Sequence, residues 1–536
     1  MTPIVEEPSG QITATSFHEP DKWFLTADER GNTHTILDSR HPDGIAWSTG
    51  NQVRALIDGQ TYFRELLTAV QAMSAGDLLM FTDWRGDPDE RLDGPGTEVG
   101  GVFADAARRG VDVRGLLWRS HSDAAQFSAS ENRRLEEIID AAGGQCLLDM
   151  RVRPLGSHHQ KLVVLRHANH PERDVAFIGG IDLCHGRRDD HQHLGDPQTL
   201  ELAALYGSRP PWHDIQLAVQ GPAVGDAETV FRERWNDPAP ISSNPVHFIQ
   251  DKIRGEIRTA RPLPPQIPDP EPRGDHAAQL LRTYPRRLSG YPFAPKGEMS
   301  VARGYQKALL QARSLIYVED QYLWSGDVAK VFASALIREP ELRLIVIIPG
   351  YPDRDGSALP PNLVGRDAAM QILQKAGGPR VAVYSLENAA GTPIYVHAKA
   401  CVIDDTWGCV GSDNANRRSW THDSELSCAV LHIGSDKSNS WARAMRLELA
   451  HEHLGSNASM VDLADPIQTF EIFHKTATDL DSWHADGSIG PRPTGQLRNY
   501  NLLKLKWWTR LWASPIYRIL YDPDARSIRK RLMHRF

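Results

Sequence analysis

Short apolar, β-branched runs recur along the chain, separated by stretches in which apolar residues return every three to four positions. This alternation predicts strand–helix–strand order: a strand at 53–57, a helix at 61–73, a strand at 77–84, a helix at 99–109 and a strand at 113–118. The same order returns downstream, with a strand at 279–282, a helix at 301–312, a strand at 315–322, a helix at 328–338 and a strand at 342–349. Even the triplet Val102, Phe103, Ala104 has its counterpart in Val331, Phe332, Ala333, each opening a helix that leads to a strand. At this spacing a repeat means two fused α/β sandwich lobes, an internal duplication, not a solenoid.

Each lobe carries one polar pattern beside an apolar strand. In the first, His159, Gln160 and Lys161 precede the run 162–165, which leads on to Gly179, Gly180, Ile181 and Asp182. In the second, His397, Ala398 and Lys399 precede 400–403, and Gly411, Ser412, Asp413 and Asn414 follow. Residues two apart on a strand face the same way, so each histidine and lysine project to one side, one to attack or protonate and the other to hold an anion. Singly, such a histidine reads as a hydrogen-bonded structural residue; two matched copies argue for chemistry. Asp214 and Glu425 each stand at the head of a later apolar strand, where a carboxylate can fix the tautomer of an imidazole. Asp214 is expected to serve His159, and Glu425 to serve His397. If the lobes face each other about a pseudo-twofold axis, two histidines and two lysines converge. Gly180, Asp182, Ser412 and Asn414 then stand on the substrate side. Such a site suits a phosphodiester, whose non-bridging oxygens need several donors.

Length and composition narrow the partners. A chain of 536 residues exceeds one ordinary core, and the formal net charge of −8 makes nucleic acid an unlikely partner. The five cysteines show no zinc-ligand spacing, and no cofactor or metal is expected. The start lacks a signal-peptide pattern, and no run is long enough to span a bilayer, so a cytoplasmic protein is expected.

The boundaries follow from these patterns. Residues 1–48 form a polar lead-in with little expected regular structure, 49–240 the first lobe, 241–275 a linker, 276–458 the second lobe and 459–536 a C-terminal extension. The proline-rich run 261–272 reads as an extended connection, with a docking peptide as the alternative. Residues 456–493 show no clear pattern, whereas the tail combines Trp507, Trp508 and Trp512 with Lys504, Lys506, Arg510 and a final basic cluster. That composition suits the face of an anionic bilayer, or an arm packed on the protein. Pro515 argues against one long helix there.

On these motifs the chain resembles the phospholipase D superfamily, whose signature is a pair of H-x-K-x-x-x-x-D motifs, each followed by G-[SG]-x-[ND]. Residues 179–187, 211–214 and 316–322 look more narrowly like the phosphatidylcholine-hydrolysing enzymes of eukaryotes and their bacterial relatives. The resemblance implies two lobes with the active site at their interface, and hydrolysis of a phospholipid at a membrane surface to phosphatidate and a free alcohol. Other alcohols would be able to replace water. It makes His159 the nucleophile and His397 the general acid, with Lys161, Lys399 and Asn414 holding phosphate, and it adds Asp404 to the catalytic set. Asp182 stands where many relatives carry Asn. One departure is Arg166, where the first motif would have Asp; Glu172 or Asp174 is expected to supply the missing carboxylate. Rival readings are a phosphatidyltransferase such as a cardiolipin or phosphatidylserine synthase, a nuclease, and a lipid-binding protein without turnover.

Overall fold

The strands of each repeat gather into one mixed sheet. The computed structural model describes residues 19–536 apart from 122–128, 243, 256–258, 357–358, 435–436, 456–458, 460, 502–504 and 534–535. The first residues of the lead-in, including the start read for a leader, and Lys504 of the tail lie outside the described residues. The first repeat contributes β1 (Ser48–Ile57), β2 (Leu78–Asp83), β3 (Asp112–Trp118), β4 (Gln145–Asp149), β5 (Leu162–Arg166), β6 (Val175–Gly179), β7 (Trp212–His213) and β8 (Ile215–Gln220). Its sheet runs β4-β3-β2-β5-β6-β8-β1, parallel from β4 to β2 and antiparallel beyond.

The second repeat contributes β9 (His276–Tyr284), β10 (Glu298–Met299), β11 (Leu315–Asp320), β12 (Arg343–Ile347), β13 (Val381–Glu387), β14 (Pro393–Val396), β15 (Lys399–Ile403), β16 (Trp407–Gly411) and β17 (Glu425–His432). Its sheet runs β13-β12-β11-β15-β16-β17-β9, the same order with the same senses. The last strand of each sheet meets its counterpart, β1 pairing with β9 through Ser48 and Ala278.

The continuous apolar runs arise because the central strands are buried on both faces. Leu162 and Val164 of β5 share one core with Ala400 and Val402 of β15, which closes the two sheets face to face. The alternate residues Val163 and Leu165 pack outward with Phe81, Phe103 and Leu135, and Cys401 and Ile403 do so with Tyr305, Phe332 and Trp407. The result is helix, sheet, sheet, helix, with each fully buried Val, Leu or Ile worth roughly 1.5–3 kcal/mol. All five cysteines are buried.

The connecting segments are more ordered than their composition suggests. Of the lead-in, Pro20–Trp23 and Ala27–Arg30 form helical turns, and Trp23, Phe24 and Leu25 enter the core of the second repeat. The linker region contains a helix, Pro245–Arg254, before the proline-rich stretch, which lies against the first repeat as Arg166 donates to the carbonyls of Ile267 and Pro268. The unpatterned region near the end holds a 20-residue helix, Pro466–Ala485, whose Phe470, Phe473, Ala477 and Leu480 are buried. A further helix, Trp507–Ile516, carries Pro515 in its last turn and gives way to a wide turn at Tyr517–Tyr521.

Candidate active site

The repeats meet where β7 pairs in parallel with β14, aligning Trp212 with Tyr395 and His213 with Val396. The opposite repeat mirrors this with a parallel bridge between His158 and Ser424. The next backbone bonds extend both contacts: His397 N–H donates to the carbonyl of His213 at 2.7 Å, and His159 N–H to that of Ser424 at 2.9 Å. Each histidine therefore hangs on the other repeat, just before that repeat's strand-head carboxylate.

The side chains follow the backbone, and the expected pairing is corrected. Glu425 Oε2 lies 2.9 Å from His159 Nδ1, and Asp214 Oδ2 lies 2.6 Å from His397 Nδ1. The reason is spacing: β5 and β8 are separated by β6, and β15 and β17 by β16, which puts histidine and carboxylate of one repeat about 10 Å apart across the sheet. The partner across the interface is nearer. Ser412 and Gly180 are corrected with them, because both stand behind the carboxylates instead of at the substrate. The Ser412 hydroxyl donates to Glu425 at 2.5 Å. A Cβ on Gly180 would meet Asp214 Oδ1 at 2.3 Å, so a side chain there would push the carboxylate aside.

Asp404 is a third correction. It sits beyond the far end of β15, about 17 Å along the strand from Lys399. There its carboxylate accepts the backbone N–H groups of Arg313, Ser314 and Leu315 at 2.7, 2.8 and 2.9 Å. In the first repeat Asp174 accepts from the backbone of His167 at 2.6 Å and meets Arg166 at 3.0 Å, while Asp77 accepts from Ala168 at 2.9 Å. Glu172 is exposed and pairs with His170.

Lys161 and Lys399 both turn back on their histidines. The Lys161 ammonium donates to the His159 carbonyl at 3.0 Å and meets Asp182 at 3.1 Å; that of Lys399 donates to the His397 carbonyl and lies 2.9 Å from its Nδ1. Burial pushes Lys399 down to about 8. Burial, with the neighbouring lysines, also holds His159 and His397 well below the usual imidazole range, so both rings are neutral before substrate arrives. Glu425 is pushed up to about 8 by burial and by Asp423. Behind Lys161, Asp182 and Asp83 share a proton: burial and its neighbour raise Asp83 far above the carboxylate range, whereas Lys161 and the Asp83 proton outweigh burial at Asp182 and hold it ionised.

His159, His397, Asp182 and Asn414 line one cavity of about 590 Å³ at the interface, with the Arg187 guanidinium over the Trp212 ring, 3.8 Å from its centre. The Asn414 side-chain oxygen has no hydrogen-bond partner among the described residues. Sequence reasoning missed the layer behind it. His213 meets Asp58 at 3.1 Å and Glu319 at 2.8 Å, Glu319 meets His453 at 2.8 Å, and Glu452 meets His193 at 3.1 Å. His213 and Glu319 lie inside quoted motifs; Asp58 and His193 stand alone and Glu452 and His453 are adjacent, none of them in a pattern that the sequence reading used. Donor type and spacing would let Asp58, His193, His213 and Glu452, or His213, Glu319 and His453, hold a divalent cation. The imidazole–carboxylate contacts just described also satisfy one another through protons.

Two known families match the chain: Phospholipase D over residues 88–329, and Cardiolipin synthase, PLD-like domain, over 306–439. Among curated relatives, phospholipase D zeta 2 of Arabidopsis thaliana is 23% identical over 89% of this chain and 60% of its own length. Phospholipase D alpha 1 of Cynara cardunculus is 24% identical over 69% of this chain and likewise 60% of its own. The chain thus spans about 60% of the length of these relatives. A crystal structure of phosphatidylserine synthase from Haemophilus influenzae Rd KW20 shares the fold, with a TM-score of 0.51 at 12% identity over 82% of this chain and 94% of that one. With the duplicated sheet, the facing histidines and these matches together, the chain is similar to the phospholipase D superfamily over most of its length.

Proposed function

We propose that the protein is a phospholipase D, hydrolysing the distal phosphodiester of glycerophospholipids such as phosphatidylcholine. The observation that carries this reading is the pair of imidazoles in one cavity, each held at Nδ1 by a carboxyl group of the other repeat so that Nε2 is the ring nitrogen left for reaction. His159 Nε2 attacks phosphorus, and the P–O bond to the headgroup breaks as His397 Nε2–H protonates the departing oxygen. The phosphatidyl group then rests on His159. His397, now neutral, takes a proton from water, whose oxygen attacks phosphorus and releases phosphatidate. Lys161, Lys399 and Asn414 hold the non-bridging oxygens throughout. The depressed imidazoles suit the nucleophile directly; the arriving phosphate supplies the negative charge that lets His397 carry its proton.

Incubation with phosphatidylcholine and a primary alcohol tests the reading, with choline and phosphatidyl-alcohol as the expected products. Cleavage of DNA without choline release would favour the nuclease reading, and phosphatidyl transfer without hydrolysis the synthase one. No product from any diester would leave a lipid-binding protein.

The setting also favours work at a membrane surface. Among the described residues no helix is long and apolar enough to cross a bilayer. The tail helix exposes Trp507, Trp508, Leu511 and Trp512, and the turn after it places Leu520 and Tyr521 at the cavity. Its other side is anchored, with Tyr517 donating to the Trp324 carbonyl at 2.5 Å and Asp522 accepting from Arg417 at 2.8 Å. The anchored side is the packed arm, and the exposed side is the one we assign to the bilayer. Serine at Trp507, Trp508 and Trp512 together should weaken sedimentation with anionic vesicles more than it slows a soluble diester; unchanged sedimentation would leave only the structural role.

A further inference from the structure

Away from the cavity, a group of histidines that the reaction does not use stands at the far end of β17. Glu425 opens this strand at the active site, and His432 closes it at the other end of its eight residues, about 23 Å away. His432 faces His276 of β9 as a direct cross-strand pair, with ring centres 5.1 Å apart, and His276 is aligned in turn with Asn51 of β1. The group therefore sits where the last strand of the first repeat joins the sheet of the second. Asp275 completes it, held in place as its backbone carbonyl accepts Ile433 N–H at 3.0 Å. Cysteine spacing could not reveal this group, because two of its members come from facing strands.

The distances are too long for hydrogen bonds and fit a metal. Asp275 Oδ1 lies 3.4 Å from His276 Nδ1, and Oδ2 lies 3.6 Å from His432 Nδ1, whereas an N–H···O bond would close to about 2.7–3.2 Å. A tetrahedron of zinc bonds about 2.0–2.2 Å long has edges of about 3.3–3.6 Å, while adjacent ligands of an octahedral ion at those lengths stand only about 2.8–3.1 Å apart. One ligand atom from each of the three residues lies within 4.8 Å of the others. His432 is 2% exposed, yet neither of its ring nitrogens has a hydrogen-bond partner among the described residues, and His276 Nδ1 has none either. Buried ring nitrogens are rarely left so. Trp441 N–H donates to His276 Nε2 at 3.2 Å, and the Asn439 backbone accepts from the same ring, so Nε2 can carry the ring proton while Nδ1 turns to a metal. A Cβ on Gly434 would meet Asp275 Oδ2 at 2.6 Å and His432 Nε2 at 2.9 Å, so the glycine keeps a side chain off the group. Asp275 itself is half exposed, which gives an ion and a water a way in.

We propose that Asp275, His276 and His432 bind one zinc ion, with water as the fourth ligand, and that the ion clasps the joint between the repeats. Two imidazoles and a carboxylate are ordinary zinc donors, and the tetrahedral edges set zinc apart from the octahedral ions that the same donors would otherwise take. The site is separate from the clusters that share His213, and it does not depend on which diester the cavity cleaves.

The test uses the full chain, stripped with a chelator and titrated with Co²⁺ as a coloured stand-in for zinc. The wild type should develop the visible bands of a four-coordinate ion, and Zn²⁺ should erase them. Asp275→Asn, at a half-exposed position that tolerates the change, and His432→Gln should each weaken zinc binding by roughly 100-fold or more; Gly434→Val, which removes no ligand, should weaken it by at least about tenfold. Zinc at a hundredfold excess over its Kd should raise the melting temperature of the wild type by roughly 2 °C and leave that of Asp275→Asn unchanged. Absence of Co²⁺ bands in the wild type, or bands of a six-coordinate ion, would overturn the proposal. So would zinc held equally by the wild type, Asp275→Asn and His432→Gln, which would place the ion among the residues around His213.

Discussion

Around His159 the supporting groups are Lys161, Asp182 and Asp83; around His397 they are Lys399, Asn414 and Asp320. The sets correspond residue by residue, because Asp83 and Asp320 both end the strand beside the motif strand, and each accepts a backbone N–H from the residue after Asp182 or Asn414, at 2.8 Å from Leu183 and 2.7 Å from Ala415. Their charges differ. The first half-site holds a carboxyl pair sharing one proton against its lysine, while the second offers an amide, and its lysine lies beside the imidazole with its ammonium depressed to about 8. Similar backbones thus carry two lysines of different kinds. Lys161 is already balanced by Asp182, and in the proposed reaction Lys399 would bring the charge that incoming phosphate neutralises.

The sharpest break between the halves is removal of each imidazole. His159→Ala and His397→Ala should each lower turnover by roughly 10³- to 10⁴-fold or more, but only His397→Ala should leave phosphatidyl on His159, detectable by intact-mass analysis. Label on neither variant would undo the division of labour. Next come the crossed carboxylates. Glu425→Gln should slow formation of the phosphohistidine and Asp214→Asn protonation of the leaving group, each by roughly 10²- to 10⁴-fold, since an amide can hold the wrong tautomer. Rapid-quench kinetics showing Asp214→Asn acting through His159 alone would favour the uncrossed assignment.

The lysines separate by pH. Lys399 has a folded value below the usual 10.5, so its charge is present below about 8 and lost above it; KM should rise through that point, and Lys399→Arg should move the rise upward. A KM unchanged between pH 7 and 9 would contradict it, those pH values being chosen to lie about one unit either side. Asp182→Asn should change kcat/KM by less than about threefold, because the neighbouring Asp83 can ionise once its like-charged partner is gone. A loss of two orders of magnitude would make Asp182 a direct participant. The smallest effect on chemistry belongs to Asp404→Ala, which frees three backbone N–H groups and should cost about 1–3 kcal/mol of stability in urea unfolding while leaving kcat unaltered.

The repeat, the strand–helix alternation along the chain and the two His-x-Lys patterns could be read from the sequence because they rest on local signals: continuous apolar runs between helical periods, and motifs within eight residues. The pairing of Asp214 and Glu425 could not, since it depends on which repeat supplies the nearer carboxylate, and that is set by one intervening strand in each sheet. Gly180 and Ser412 were misread for a related reason: lying in a motif says nothing about which layer of the site a residue occupies. Arg166 stands where the motif has Asp and a nearby carboxylate was expected to replace it; its counterpart Asp404 ties down strand ends, and Asp77 and Asp174 do the same work in the first repeat. The helix Pro466–Ala485 was hidden because its buried positions are few and two of them, Thr469 and Ala477, are not strongly apolar.

The exchange of partners across the interface has a further consequence. A fragment with one repeat would own an imidazole from one dyad and a carboxylate from the other, and so no complete dyad at all. Cutting the chain at the linker should therefore give two inert pieces whose activity returns only on reassociation, in proportion to the fraction docked, which makes turnover itself a gauge of how firmly the halves hold each other.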